Sequence, residues 1–125
     1  MYAVTYENRP GYLYVHIEGA ESLQAAIRFW EDLSKKAKDE GLRTFLIVDE
    51  VTGALETTDV FKLSVKVANL FAGAMIAYVD PKEDTFDANK FGEIVVRNRG
   101  VYATVFHSED EAIQWLKQAG GSSQT

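Results

Sequence analysis

The most constraining feature is a short apolar run, Phe45-Leu46-Ile47-Val48, with no polar residue inside it and Asp49 directly after it. An amphipathic helix or a half-wet strand would show polar residues at every second to fourth position. An unbroken run this short fits a strand buried on both faces, as in the middle of a helix-covered parallel sheet. A second run, Ala74 to Val79, repeats the pattern and also ends in an aspartate, Asp80. Two such strands predict an α/β chain.

The flanking segments complete that architecture. Tyr2 to Glu7 and Tyr12 to Glu18 alternate about Arg9-Pro10-Gly11, which predicts a β-hairpin. Leu13, Val15 and Ile17 share one face of its second strand, with Tyr12, Tyr14 and His16 on the other. Tyr2, Val4 and Tyr6 line one face of its hairpin partner, and together these residues predict one tyrosine-rich hairpin face suited to an interface or a half-wet surface, the alternative being that helices cover it. Ser22 to Glu40 changes to helical period, with Leu23, Ala26, Ile27, Trp30, Leu33 and Ala37 in one stripe and Gly41 as the stop. After a loop at Gly53, helices are predicted over Thr57 to Phe71 and over Asp84 to Asn98, the latter with Phe86, Phe91, Ile94 and Val95 as its apolar members. Val101 to Phe106 is the last strand. Ser108 and Glu111 then form a capping box for a final helix with Ala112, Trp115, Leu116 and Ala119 inward.

The order ββαβαβαβα predicts one mixed, mostly parallel sheet with covering helices. At 125 residues the chain has room for one core, so residues 1–119 are expected to form a single domain and residues 120–125 a disordered tail. No cysteine is present, which removes thiolate metal sites and thiol nucleophiles; the two histidines, far apart, predict no metal site. A charge of −6 argues against a nucleic-acid partner. The uncharged stretch from Val67 to Val79 is well short of the ~20 residues that span a bilayer. No secretory signal or glycine-rich phosphate loop stands out, so a cytoplasmic protein without a cofactor is expected.

The closing segment carries a resemblance. Asn98-Arg99-Gly100-Val101-Tyr102-Ala103-Thr104-Val105-Phe106, followed by Glu111-Ala112-Ile113-Gln114-Trp115-Leu116, is similar to the end of the SpoIIAA-like branch of the STAS-like family. The element order resembles that family over nearly the whole chain. Its founding members are bacterial anti-sigma factor antagonists, so the resemblance implies a SpoIIAA-like fold and a non-enzymatic regulatory or protein-interaction module. In the antagonists an Asp-Ser-Ser-Gly turn carries a phosphorylated second serine. Glu56-Thr57-Thr58-Asp59 stands in that place here, making Thr58, and next to it Thr57, the implied phosphoacceptors. The departures are the two threonines and Asp59 in place of glycine. Thr57 or Thr58 as a plain helix N-cap is the alternative.

Two further features bear on function. Asp49, Asp80 and His107 mark strand ends, where ligands collect in open α/β sheets, and a histidine beside a carboxylate can do acid–base chemistry. They are the candidate catalytic set, with Glu50 and Thr58 close by. The alternative is that the aspartates only satisfy backbone donors. On the predicted helix 57–71, apolar residues cover an arc of roughly 220°, about twice what packing on one sheet uses. Phe61, Leu63, Val65, Val67, Leu70 and Phe71 are therefore expected to supply an interaction surface, for a protein partner or a second copy in a homodimer. Burying two such side chains would stabilise an assembly by roughly 3–6 kcal/mol before association costs. The alternatives are that a neighbouring helix of the same chain absorbs the excess, or that an apolar small molecule or lipid is held between the second and third helices.

Overall fold

One antiparallel and three parallel pairings build a five-stranded sheet in the order β1-β2-β3-β4-β5. In this computed structural model the elements are β1 (Ala3–Arg9), β2 (Tyr12–Ala20), α1 (Leu23–Glu40), β3 (Thr44–Thr52), α2 (Thr57–Phe71), β4 (Met75–Val79), α3 (Glu83–Arg97), β5 (Tyr102–Phe106) and α4 (Glu109–Ser123). The structure describes residues 1–123, with side chains through residue 119, so the tail expected at 120–125 lies outside the described side chains.

Each parallel strand is added beside the previous one, always toward the same edge of the sheet. Crossovers of one hand then place every connecting helix on the same face. α1, α2 and α3 accordingly cover one face, over a core built on Leu13, Val15, Ile17, Phe45, Ile47 and Ile76. α4, which follows the last strand, packs on the opposite face over Leu46, Val48, Ala77 and Val79 through Ala112 and Leu116. β3 is buried on both faces, as its unbroken apolar run requires.

Local signals set the helix ends. The Ser22 hydroxyl accepts the Ala25 N–H at 3.1 Å, and Gly41 closes α1 in the left-handed region at φ 67°. Ser108 caps α4 by accepting the Glu111 N–H at 3.3 Å, while its own hydroxyl donates to Glu111 Oε1 at 3.0 Å. α2 differs. Glu56 is its N-cap, without a side-chain hydrogen bond, so Thr57 and Thr58 are first-turn residues and not the cap. Both are exposed.

The structure revises four other expectations. β3 does not stop at Asp49 but runs on to Thr52, because the long strand β2 offers partners as far as Ala20↔Thr52. The hairpin tyrosines do not share a face. Antiparallel register sets Tyr6 opposite Val15 and Val4 opposite Ile17, so Tyr2, Val4 and Tyr6 lie on the α1 side, away from Tyr12, Tyr14 and His16. In α3 the buried residues are Thr85, Val95 and Val96, whereas Ile94 is 56% exposed.

The fourth revision concerns α2. As the middle helix of three, it packs on α1 and on α3, and through Phe71 against Phe45 on the sheet. Val67 and Phe71 are core residues, not surface ones, and Leu63 and Leu70 pack against the same core. Val65 is half-buried. Of the expected surface only Phe61 is exposed, at 43%, with the Arg99 guanidinium 5.6 Å from its ring centroid. Two flanking helices take up most of the apolar width assigned to an outside partner. Close approach helps, since a Cβ on Gly92 of α3 would lie 3.0 Å from Ser64 Oγ of α2.

Candidate functional site

The three helices do not fill the space above the sheet completely. A partly enclosed cavity of about 110 Å³ lies between α1, α2, α3 and the carboxyl ends of the parallel strands. Its apolar walls include Phe29 and Trp30 of α1, Leu63 and Val67 of α2, Ile76 of β4 and Val96 of α3. The loop 53–55 after β3 and Ala88 and Gly92 of α3 complete the enclosure. Trp30 stacks on Tyr78 with ring centroids 6.3 Å apart, so part of the wall is aromatic.

One side of the cavity is polar, because consecutive strands aim side chains of one parity at it. Asp49 is in register with Ile17 and so points to the α1–α3 face, not outward at a strand end. It is buried, and its Oδ2 accepts the Tyr78 hydroxyl at 2.7 Å while its Oδ1 accepts the Val51 N–H at 2.9 Å. Asp80, fully buried, accepts from Thr85 Oγ1 and Asn89 Nδ2, each at 2.6 Å, and from the Lys82 N–H at 3.0 Å. Lys82 joins the two carboxylates. Its Nζ is 2.9 Å from Asp80 Oδ1, 3.3 Å from Asp49 Oδ1 and 2.8 Å from the Asp49 carbonyl oxygen. Tyr2 and Glu21 also line the cavity, the Tyr2 hydroxyl donating to Glu21 Oε1, which accepts the Ser22 N–H as well, at 2.9 Å.

The electrostatics follow from burial set against partners. Burial works against the Asp80 charge, but hydrogen bonds from Thr85, Lys82 and Asn89 outweigh it and hold the carboxyl below its ordinary range. Burial likewise opposes the Lys82 charge, and Asp80 and Asp49 overcome it and raise the ammonium. Glu21 goes the other way. Burial raises its carboxyl, the Tyr2 hydrogen bond lowers it, and the Asp49 charge raises it further, for a net upward shift. The Tyr78 hydroxyl is pushed well above its ordinary range by burial, then by the neighbouring Asp49 charge.

The expected catalytic set does not assemble. Asp49 and Asp80 are brought together by Lys82, and the aspartate backbone bonds named as the alternative are present at both. His107 is exposed and stacks on Phe86, with ring centroids 3.7 Å apart, and among the described residues it makes no hydrogen bond to either carboxylate. Glu50 lies on the opposite face of the sheet, where its Oε1 is 2.7 Å from His16 Nε2. Thr57 and Thr58 do not line the cavity. Among the described residues no group of three or more histidine, aspartate or glutamate side chains could hold a metal ion, and no helix is long and apolar enough to cross a membrane.

Several cavity residues were not singled out from the sequence: Tyr2 as a hydrogen-bonding partner, Glu21, Tyr78 and Lys82. Only Lys82 carried a local signal, since it follows the strand-ending Asp80 by two residues and can fold back over it. Compared with protein-family models and with curated proteins, the sequence finds no match.

Proposed function

We propose that this protein is a binding module that holds a compact, mainly apolar molecule in the cavity between its three helices and the sheet. The observation that carries the reading is the cavity itself. Native interiors are close-packed, and space of this size beneath three helices departs from that rule. An apolar cavity of ~150 Å³ is large enough to bind benzene. A space of about 110 Å³ therefore suits a single ring or a short alkyl group better than a lipid chain. A SpoIIAA-like assignment belongs with this proposal, and what supports it is the element order. A role in docking a protein partner or a second copy has less support, because α2 spends most of its apolar surface on α1 and α3.

Thermal unfolding in the presence of toluene tests the reading. A neutral probe at ten times its dissociation constant stabilises the native state by about 1.4 kcal/mol, or about 5 °C for a domain of this size. Ala88→Phe fills the cavity and should abolish that shift. Leu63→Ala enlarges the same space and should increase it. Absence of a shift in both the unaltered protein and Leu63→Ala would overturn the proposal.

A further inference from the structure

The hydrogen bonds around the cavity show which donors and acceptors are left for a ligand. Every N–H of the Lys82 ammonium has a partner within the protein, on Asp49 or Asp80. The Tyr78 hydroxyl is committed to Asp49, the Tyr2 hydroxyl to Glu21, and one N–H of the Asn89 amide to Asp80. These donors are turned onto carboxylates, apart from one Lys82 N–H that goes to the Asp49 carbonyl oxygen. Acceptors are left over. Glu21 takes both of its bonds on Oε1, its Oε2 has no partner among the described residues, and it forms no ion pair there. The charged residues of the lining are Glu21, Asp49 and Glu93 against Lys82, three carboxylates to one ammonium. Lys90 pairs with Glu93 at 3.1 Å and Lys82 with Asp49 and Asp80, which leaves Glu21 as the lining carboxylate with no direct ion pair, the Lys82 charge acting on it only at longer range.

We propose that the occupant is a small protonated amine, with a single-ring or short-alkyl body among Phe29, Trp30 and Val96 and its ammonium toward Glu21. This rests on the binding reading above and adds the chemical class of the ligand. An ammonium supplies donors to the free Oε2 of Glu21, and its charge meets that carboxylate in a partly desolvated setting, where the attraction exceeds that in water. The ring of Tyr2, whose hydroxyl is bonded to Glu21, provides an electron-rich face beside the same carboxylate. An anionic ligand would meet the reverse, a carboxylate-rich wall whose one ammonium is already bound.

Three probes of one shape and different charge test it: benzylamine, benzyl alcohol and benzoate. Trp30 lines the cavity and Trp115 lies in α4 on the far face, so Trp30 fluorescence in a Trp115→Phe background reads occupancy. At pH 7.5 benzylamine should bind at least tenfold more tightly than benzoate, with benzyl alcohol between them. Glu21→Gln should weaken benzylamine about tenfold and weaken the uncharged benzyl alcohol by no more than about twofold. The ranking of the three probes needs no substitution and so stands even if that variant folds poorly. Benzoate binding as well as benzylamine, with benzyl alcohol also bound, would overturn the amine assignment while leaving the cavity reading intact. If none of the three alters Trp30 emission, both proposals fail.

Discussion

Lys82→Met removes one charge from the molecule and keeps most of the side-chain length. In the native protein that ammonium touches two carboxylates whose side chains are 0% and 9% exposed, and it is itself 24% exposed. Leaving a buried charge unpaired costs about 3–5 kcal/mol. Water reaches Lys82 in part and can replace some of what is lost, so the lower end applies, about 3 kcal/mol. For a domain of this length that corresponds to a fall in Tm of about 10 °C. The pH dependence separates charge from packing. Asp80 is held below its ordinary range, so its stabilising contribution is complete above the unfolded carboxyl value of ~3.9 and fades as pH falls through the lower folded value. The difference between the two proteins should be full at pH 7 and shrink toward pH 2. Lys82 is raised, so its contribution is complete below an unfolded value of 10.5 and is lost as pH climbs through the folded one. Urea unfolding at pH 7 and at pH 2, with unchanged m-values, measures both. A difference below about 1 kcal/mol at pH 7, or the same difference at pH 2, would show that Lys82 contributes its stem and not its charge.

Two more outcomes follow from the same geometry. Glu21→Gln should be more stable than the unaltered protein at pH 7, because the raised carboxyl means that the fold disfavours its charge; this penalty appears as pH rises from the ordinary 4.5 through the raised value, and the advantage of the variant should vanish below about pH 4 in denaturant titrations. Phe61→Glu should change stability by no more than about 0.5 kcal/mol, since that ring is 43% exposed, whereas Leu63→Glu pushes a charge against the core and should cost about 3 kcal/mol or more by urea unfolding.

Much of the fold was legible because its signals are local. The alternation of β2, the span of α2 from Thr57 to Phe71, the Ser22 and Gly41 ends of α1 and the Ser108–Glu111 box each depend on residues a few positions apart. The site was legible only in outline. Asp49 and Asp80 stood out through their contrast with the apolar runs before them, and both belong to the polar side of the cavity or its support. Their partners did not stand out. Tyr78 lies 29 residues from Asp49 and Lys82 lies 33 from it, and nothing in either neighbourhood marks the meeting. His107 was drawn in by its place after a strand, yet its ring turns to Phe86.

Periodicity and end signals along the chain were enough to determine an α/β chain, the order of its described elements and the apolar face of β2, because side-chain direction repeats every two residues in a strand and every 3.6 in a helix. What only the tertiary structure decided is which helices stand beside one another. Successive crossovers of one hand, all stepping toward the same edge of the sheet, put α2 between α1 and α3, and that neighbourhood turned its wide apolar arc from an expected outer surface into the wall of an inner cavity.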